Sequence, residues 1–183
     1  MSRWEQLRQA ILELGACKAG LVRVEDIIFE PDFRRLCESN ACGMYGRSWM
    51  CPPDAGPVDE LIARAKRFRW AAVFQTVSAL EDSYDIEGML EAGNRMNGLM
   101  AGLRGKLAEL GIQKWLLLGA GGCRVCPVCA KLRDQPCRHP ELALSSFEAY
   151  GINVSDLAPK AGMKYINGQN TVTFFGGVLL EER

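Results

Sequence analysis

Histidine is nearly absent from this chain: His139 is the only one among 183 residues. That scarcity excludes His-rich zinc and non-haem iron sites, and it would leave a Ser-His-Asp triad wholly dependent on His139. A charge excess is missing too, because 22 basic and 22 acidic side chains cancel. A dedicated nucleic-acid binder carries a basic surplus, so no nucleic-acid partner is expected, and neither is a disordered charged tail. No apolar run approaches the ~20 residues that span a bilayer, so no membrane association is expected. The opening Met1-Ser2-Arg3-Trp4-Glu5-Gln6 is polar and lacks an apolar signal core. These absences predict a cytoplasmic chain. Its length predicts one domain over residues 1–183, and its 48% hydrophobic residues suffice for a core without covalent staples.

Cysteine, by contrast, is plentiful, with 8 in the chain. In a reducing compartment they are poor disulfide candidates, and clustered cytosolic cysteines read as metal ligands.

Apolar spacing predicts a helix from Trp4 to Gly15 and a strand from Leu21 to Phe29. The long irregular stretch from Asp32 to Pro57 holds Cys37, Cys42 and Cys51; a loop of that length needs a reason, and bound metal supplies one. A helix over Val58–Phe68, a strand over Trp70–Ala79, a long helix over Ile86–Leu110 and a strand over Trp115–Leu118 follow. The last three predict a right-handed βαβ unit with parallel strands. Pro140 to Tyr150 reads as a helix ended by Gly151, and Asn167-Gly168 reads as a hairpin turn. Thr171–Leu180 reads as a strand interrupted at Gly176-Gly177. The expected fold is α/β: a single-domain mixed sheet with flanking helices and cysteine-rich loops at one end.

The strongest chemical signal is Cys123-x2-Cys126-x2-Cys129-x7-Cys137. Three cysteines at two-residue separation wrap one compact polynuclear centre, as in [4Fe–4S] sites. Zinc normally takes two separate C-x2-C knuckles, whereas here the middle cysteine would serve both, so zinc is the alternative cofactor. Gly121 and Gly122 allow close backbone approach, and Pro127 and Pro136 stiffen the loop. The second constellation is Cys37-x4-Cys42-x8-Cys51-Pro52-Pro53. A cysteine followed by proline can ligate the cluster built by another run, so Cys51 and Cys137 could exchange roles. The bland alternative is that this group is small buried filler. Cys17 stands apart and reads as structural. Arg34, Arg35, Arg47, Arg124, Lys131, Arg133 and Arg138 flank the groups; such cations offset an anionic cluster and suit an acidic partner. His139 reads as a helix-start residue. Glu148 reads as an exposed helical carboxylate, with acid–base work as its alternative. The glycines of the long helix read as close-packing positions.

Cys42-Gly43-Met44-Tyr45-Gly46 leading to Cys51-Pro52-Pro53 is one half of a wider pattern. Gly121-Gly122-Cys123-Arg124-x-Cys126-Pro127-x-Cys129, Pro136-Cys137-Arg138-His139-Pro140 and Ser146-Phe147-Glu148-Ala149-Tyr150-Gly151-Ile152-Asn153-Val154 complete it. Together they resemble a family of small, cysteine-rich predicted metal-binding proteins of unknown function, frequent in anaerobic bacteria and archaea. The resemblance runs from about Leu21 to Leu180. It implies metal binding on Cys37, Cys42, Cys51, Cys123, Cys126, Cys129 and Cys137, and it supplies no reaction.

These signals favour an iron–sulfur protein with one or two [4Fe–4S] clusters, working in electron transfer or redox activation of a partner protein in anaerobic metabolism. The alternatives are an enzyme using a cluster with an open iron as Lewis acid, and a structural zinc module. Both cysteine groups are expected on one face, with the Cys51 and Cys123 sulfurs within about 20 Å, roughly six residues of extended chain. The expected reason is that the strands before them run parallel and end together.

Overall fold

The computed structural model describes residues 2–181. Helix α1 (Arg3–Glu13) starts at a reciprocal cap, in which the Ser2 hydroxyl accepts from the Glu5 N–H and the Glu5 carboxylate accepts from the Ser2 N–H. Gly15, at φ +109°, turns the chain out of it into β1 (Lys18–Arg23). A short helix α2 (Arg35–Glu38) precedes the first cysteine loop, and α3 (Val58–Ala65) follows it. Then come β2 (Trp70–Ala79), the long α4 (Ile86–Glu109), β3 (Trp115–Gly119), β4 (Ser145–Ser146), α5 (Val154–Lys160) and β5 (Thr171–Leu180).

The strands form one mixed sheet in the order β1-β2-β5-β3-β4. β1–β2, β2–β5 and β5–β3 are antiparallel, and β3–β4 is parallel. The expected α/β class with a mixed sheet is what the chain adopts. The strands alternate with period 2 between two cores. Ala72, Phe74, Leu117, Val178 and Leu180 pack under α1 and α4. Ala71, Val73, Leu116, Leu118, Phe175 and Leu179 pack under α3, α5 and the segment around Phe147 to Ile152.

Several local expectations give way to tertiary pairing. β2 and β3 do run parallel across α4, but the last strand, β5, lies between them. β1 stops at Arg23, since residues 24–26 coil into a single tight turn, and only Phe29 makes a bridge, to Ile152. Pro140 to Tyr150 is not a helix. Ser145 and Ser146 pair with Leu118 and Gly119, and Glu148–Tyr150 then makes one tight turn closed by Gly151 at φ +68°. A two-residue edge strand thus outweighs the weak helical spacing of an eleven-residue window. Asn167-Gly168 is no hairpin, because the element directly before it is α5, not a strand, and β5 finds its partners in β2 and β3. Nor do Gly176 and Gly177 interrupt β5. They leave room for aromatic rings: a Cβ on Gly176 would lie 2.5 Å from Phe74 Cε2, and one on Gly177 would lie 2.7 Å from Phe147 Cζ.

Candidate metal centre

The route of the chain explains how two distant cysteine groups share one end of the sheet. β3 and β4 are parallel, and their carboxyl ends lead straight into Gly121-Gly122-Cys123 and into Ser146–Glu148. β1 runs opposite to β3, so the residues after it start at the other end, where Arg23, Trp70, Leu180 and Trp115 align across the sheet. The chain then climbs back over the α3/α5 face. Glu30 N–H donates to the Gly151 carbonyl at 2.8 Å, and the Arg34 guanidinium donates to the carbonyls of Ala149 at 3.5 Å and Gly56 at 2.7 Å. This return ladder, not parallel strand ends, brings Cys37 to the site. The groups do meet, but the expected reason for it was wrong.

The loop carrying the first group is organised by its own turns. Gly43 N–H donates to the Asn40 carbonyl at 2.9 Å, Tyr45 N–H donates to the Asn40 side chain at 3.0 Å, and Gly46 N–H donates to the Pro52 carbonyl at 2.8 Å. Gly43 and Gly46 sit at φ +71° and +67°, in the left-handed region that other residues reach at a cost. Cys37, Cys42 and Cys51 then line one hollow of about 250 Å³, together with Met44, Gly122 and Glu148. Cys123, Cys126, Cys129 and Cys137 line a second, with Ser48 and His139. The wall between the hollows is thin. The Cys123 backbone N–H acts electrostatically on the Cys51 thiol, and a Cβ on Gly122 would lie 3.3 Å from Cys51 Sγ.

Electrostatics distinguishes the two groups. Burial pushes the Cys37 thiol up, and Glu148, Cys42 and Glu38 add to the rise against the opposing pull of Arg34. Burial also raises Cys51, and the neighbouring Cys42 and Cys37 thiols reinforce it, while the Ser48 hydroxyl and the Cys123 N–H pull it down. Burial acts upward on Cys129 as well. There it is outweighed by the Lys131 and Trp49 backbone N–H groups, the Ser48 hydroxyl and the Arg138 guanidinium, so the net shift is downward. A lowered thiol is a ready ligand, because the thiolate is the binding form. Ser48, fully buried, reaches both Cys51 and Cys129 and so stands at the junction.

A clasp joins the two loops. Lys131 Nζ lies 2.6 Å from Asp54 Oδ1, with both side chains mostly buried, and sits 4.4 Å above the Trp49 ring. Trp49 Nε1 in turn donates to the Gln135 carbonyl at 2.8 Å. Arg138 donates to the Val128 carbonyl. Arg104 of α4 donates to the carbonyls of Glu141 and Leu142 at 2.8 and 2.7 Å, and its charge acts on Cys123.

The seven thiols are the right donors for a soft metal or an iron–sulfur centre. Among the described residues, however, no three His, Cys, Asp or Glu side chains converge tightly enough to hold a single ion as they stand. The three-thiol hollow has room for a polynuclear group. The four-thiol hollow encloses about 20 Å³, little more than one water, so its loop, which has little regular structure, would have to open to seat a cubane. The donor chemistry fits a soft metal or an iron–sulfur centre, and holding either would require the thiols to draw together.

The sequence reading misplaced Glu148 and overlooked Ser48 and Arg104. Glu148 is partly buried and faces the three-thiol hollow; the helix expected there hid its orientation. Ser48 carries no motif, and Arg104 lies on another element altogether. His139 lines the rim of the four-thiol hollow, 3.9 Å from Glu141. Cys17 is exposed, its thiol donating to the Gln75 carbonyl at 3.3 Å. It enters β1, three strand spacings from β3, or about 14 Å across the sheet. Gly93 of α4 meets the Arg124 guanidinium, while Gly102 meets Leu14. Among the described residues no helix is long and apolar enough to cross a membrane.

An α/β fold that gathers seven thiols into two adjoining hollows defines a cysteine-rich metal-binding protein. Residues 20–180 match the family described as "Predicted metal-binding protein (DUF2284)", and the chain belongs to that family. No curated protein and no solved structure matches it significantly.

Proposed function

We propose that this protein binds a [4Fe–4S] cluster on Cys123, Cys126, Cys129 and Cys137, holds a second metal centre on Cys37, Cys42 and Cys51, and passes electrons to a partner protein. The observation that carries the reading is the thin shared wall, where a Cβ on Gly122, the residue before Cys123 of one group, would lie 3.3 Å from the Cys51 sulfur of the other. Two centres on either side of it would lie close enough to exchange electrons. A thiolate-bound cluster supplies one-electron chemistry with little rearrangement. The chain's residues contribute the rest. Lys131 and Asp54 hold the loops in register, and the Arg138 and Arg104 cations offset the negative charge of the thiolates. Exposed Val128 and Leu132 lie among Arg124, Arg133 and Arg138, a mixed apolar and basic rim suited to an acidic redox partner.

A second reading is favoured by the small four-thiol hollow: a lone zinc ion needs far less space than a cubane. Purification without oxygen, followed by iron, zinc and acid-labile sulfide analysis, separates the two. The proposal expects a brown protein that bleaches with dithionite, with about four irons per cubane. A colourless protein with stoichiometric zinc and no sulfide overturns it.

A further inference from the structure

The three-thiol hollow is one ligand short, and the eighth cysteine does not complete it, since Cys17 sits toward the far edge of the sheet. A carboxylate faces the hollow instead. Glu148 lines it together with Cys37, Cys42 and Cys51, and its charge acts on Cys37.

The backbone that presents Glu148 is fixed from several sides. Ala149 N–H donates to the Ser146 hydroxyl at 3.2 Å, Gly151 N–H donates to the Glu148 carbonyl at 2.9 Å, and Arg34 holds the Ala149 carbonyl. Gly151 has no room for a side chain, because a Cβ there would lie 2.9 Å from the Glu30 carbonyl oxygen. The turn is therefore clamped between β4 and the segment that delivers Cys37.

Among the described residues no lysine, arginine or histidine forms an ion pair with Glu148. Three sulfur donors and one oxygen donor line one partly buried hollow, and in their ionised, ligating forms they are stable there only around a positive centre.

We propose that Glu148 is the fourth ligand of the Cys37, Cys42 and Cys51 centre, binding through a carboxylate oxygen. This rests on the reading that the hollow holds metal. Oxygen is a harder donor than thiolate and a weaker partner for iron in a sulfur-ligated centre. The metal atom facing Glu148 is therefore distinct from the others and is the one that exchanges its ligand most readily.

The test uses the full chain, reconstituted anaerobically with ferrous iron and sulfide. Wild type, Glu148→Gln, Glu148→Cys and Cys51→Ser are compared by iron per chain, Mössbauer spectroscopy and iron K-edge absorption. The expected results are that Glu148→Gln drops iron to the level of Cys51→Ser or releases one iron from that centre. Glu148→Cys retains full iron and converts the oxygen contribution to sulfur. Circular dichroism checks that each variant folds, and Glu148→Cys keeps the question answerable should Glu148→Gln be unstable. If Cys51→Ser loses the centre while Glu148→Gln matches wild type in iron content and spectrum, the Glu148 assignment is overturned and the metal reading stands. If Cys51→Ser also leaves iron unchanged, the hollow holds no metal and both fall.

Discussion

Replacing Lys131 by methionine tests whether the two cysteine loops are held together by one clasp. The substitution keeps most of the side chain's length and apolar contact but removes its charge. It leaves Asp54 without its 2.6 Å partner in a site where only 15% of its side chain is exposed. A hydrogen bond to a charged group contributes about 1.5–3 kcal/mol, and full burial would push the cost of an orphaned charge to about 3–5 kcal/mol. The remaining exposure places the expected loss near the lower range. The contact over Trp49 adds about 0.5–1 kcal/mol. A total of about 2–4 kcal/mol lowers the melting temperature by about 4–16 °C for a domain of this size. Urea unfolding of metal-free Lys131→Met, Asp54→Asn and the double variant measures the coupling. The double variant is expected to be less destabilised than the two single losses added together, by at least about 1 kcal/mol. Additive losses would refute the clasp, as would a Lys131→Met midpoint within error of wild type.

Cys126→Ser is expected to lose the metal of the four-thiol hollow and to open residues 121–140 to hydrogen exchange, whereas Cys17→Ser leaves metal content unchanged; loss of metal in Cys17→Ser would contradict its placement away from both hollows. Gly151→Ala forces a side chain into a left-handed residue at φ +68° and against the Glu30 carbonyl, so a loss of about 2–5 kcal/mol is expected by urea unfolding. The metal-free protein is expected to lose stability as pH rises. Burial raises the Glu148 carboxyl above its ordinary value, so its stabilising contribution is complete below the ordinary carboxylate range and disappears as pH climbs through the raised value. Cys37 and Cys51, raised for the same main reason, add a loss of the same sign at alkaline pH. Thermal melting between about pH 4 and 7 checks the carboxylate part, and Glu148→Gln should flatten it.

Much of the molecule was legible because its signals are local. The Ile86–Glu109 helix carries regularly spaced Met96, Leu99, Leu103 and Leu107, and the Trp70–Ala79 strand opens on the apolar run Trp70-Ala71-Ala72-Val73-Phe74. The cysteine spacing is likewise written in consecutive residues. What escaped depended on partners distant in sequence. Nothing between Trp70 and Leu118 announces that β5 inserts between β2 and β3. Ser145 and Ser146 become strand only because Leu118 and Gly119 offer an edge. α5 is seven residues long and carries Pro159, too short for periodicity, although Asn153, whose side chain accepts from the Ser155 N–H, marked its start. Glu148 followed from that error: an assumed helix gave it an exposed face, while the actual turn points it into the hollow. The meeting of the cysteine groups was anticipated on a wrong premise. The delivering element is the Glu30–Gly151 contact, a non-local hydrogen bond that spacing cannot show.

The account rests on metal in two thiol-lined hollows, and native mass spectrometry of anaerobically purified protein addresses it most directly. The account predicts a mass above that of the 20.2 kDa chain by iron–sulfur clusters, with Cys126→Ser and Cys51→Ser each removing one increment and the double variant removing both. A wild-type mass equal to the bare chain, or a double variant that loses no more than one single variant does, contradicts it.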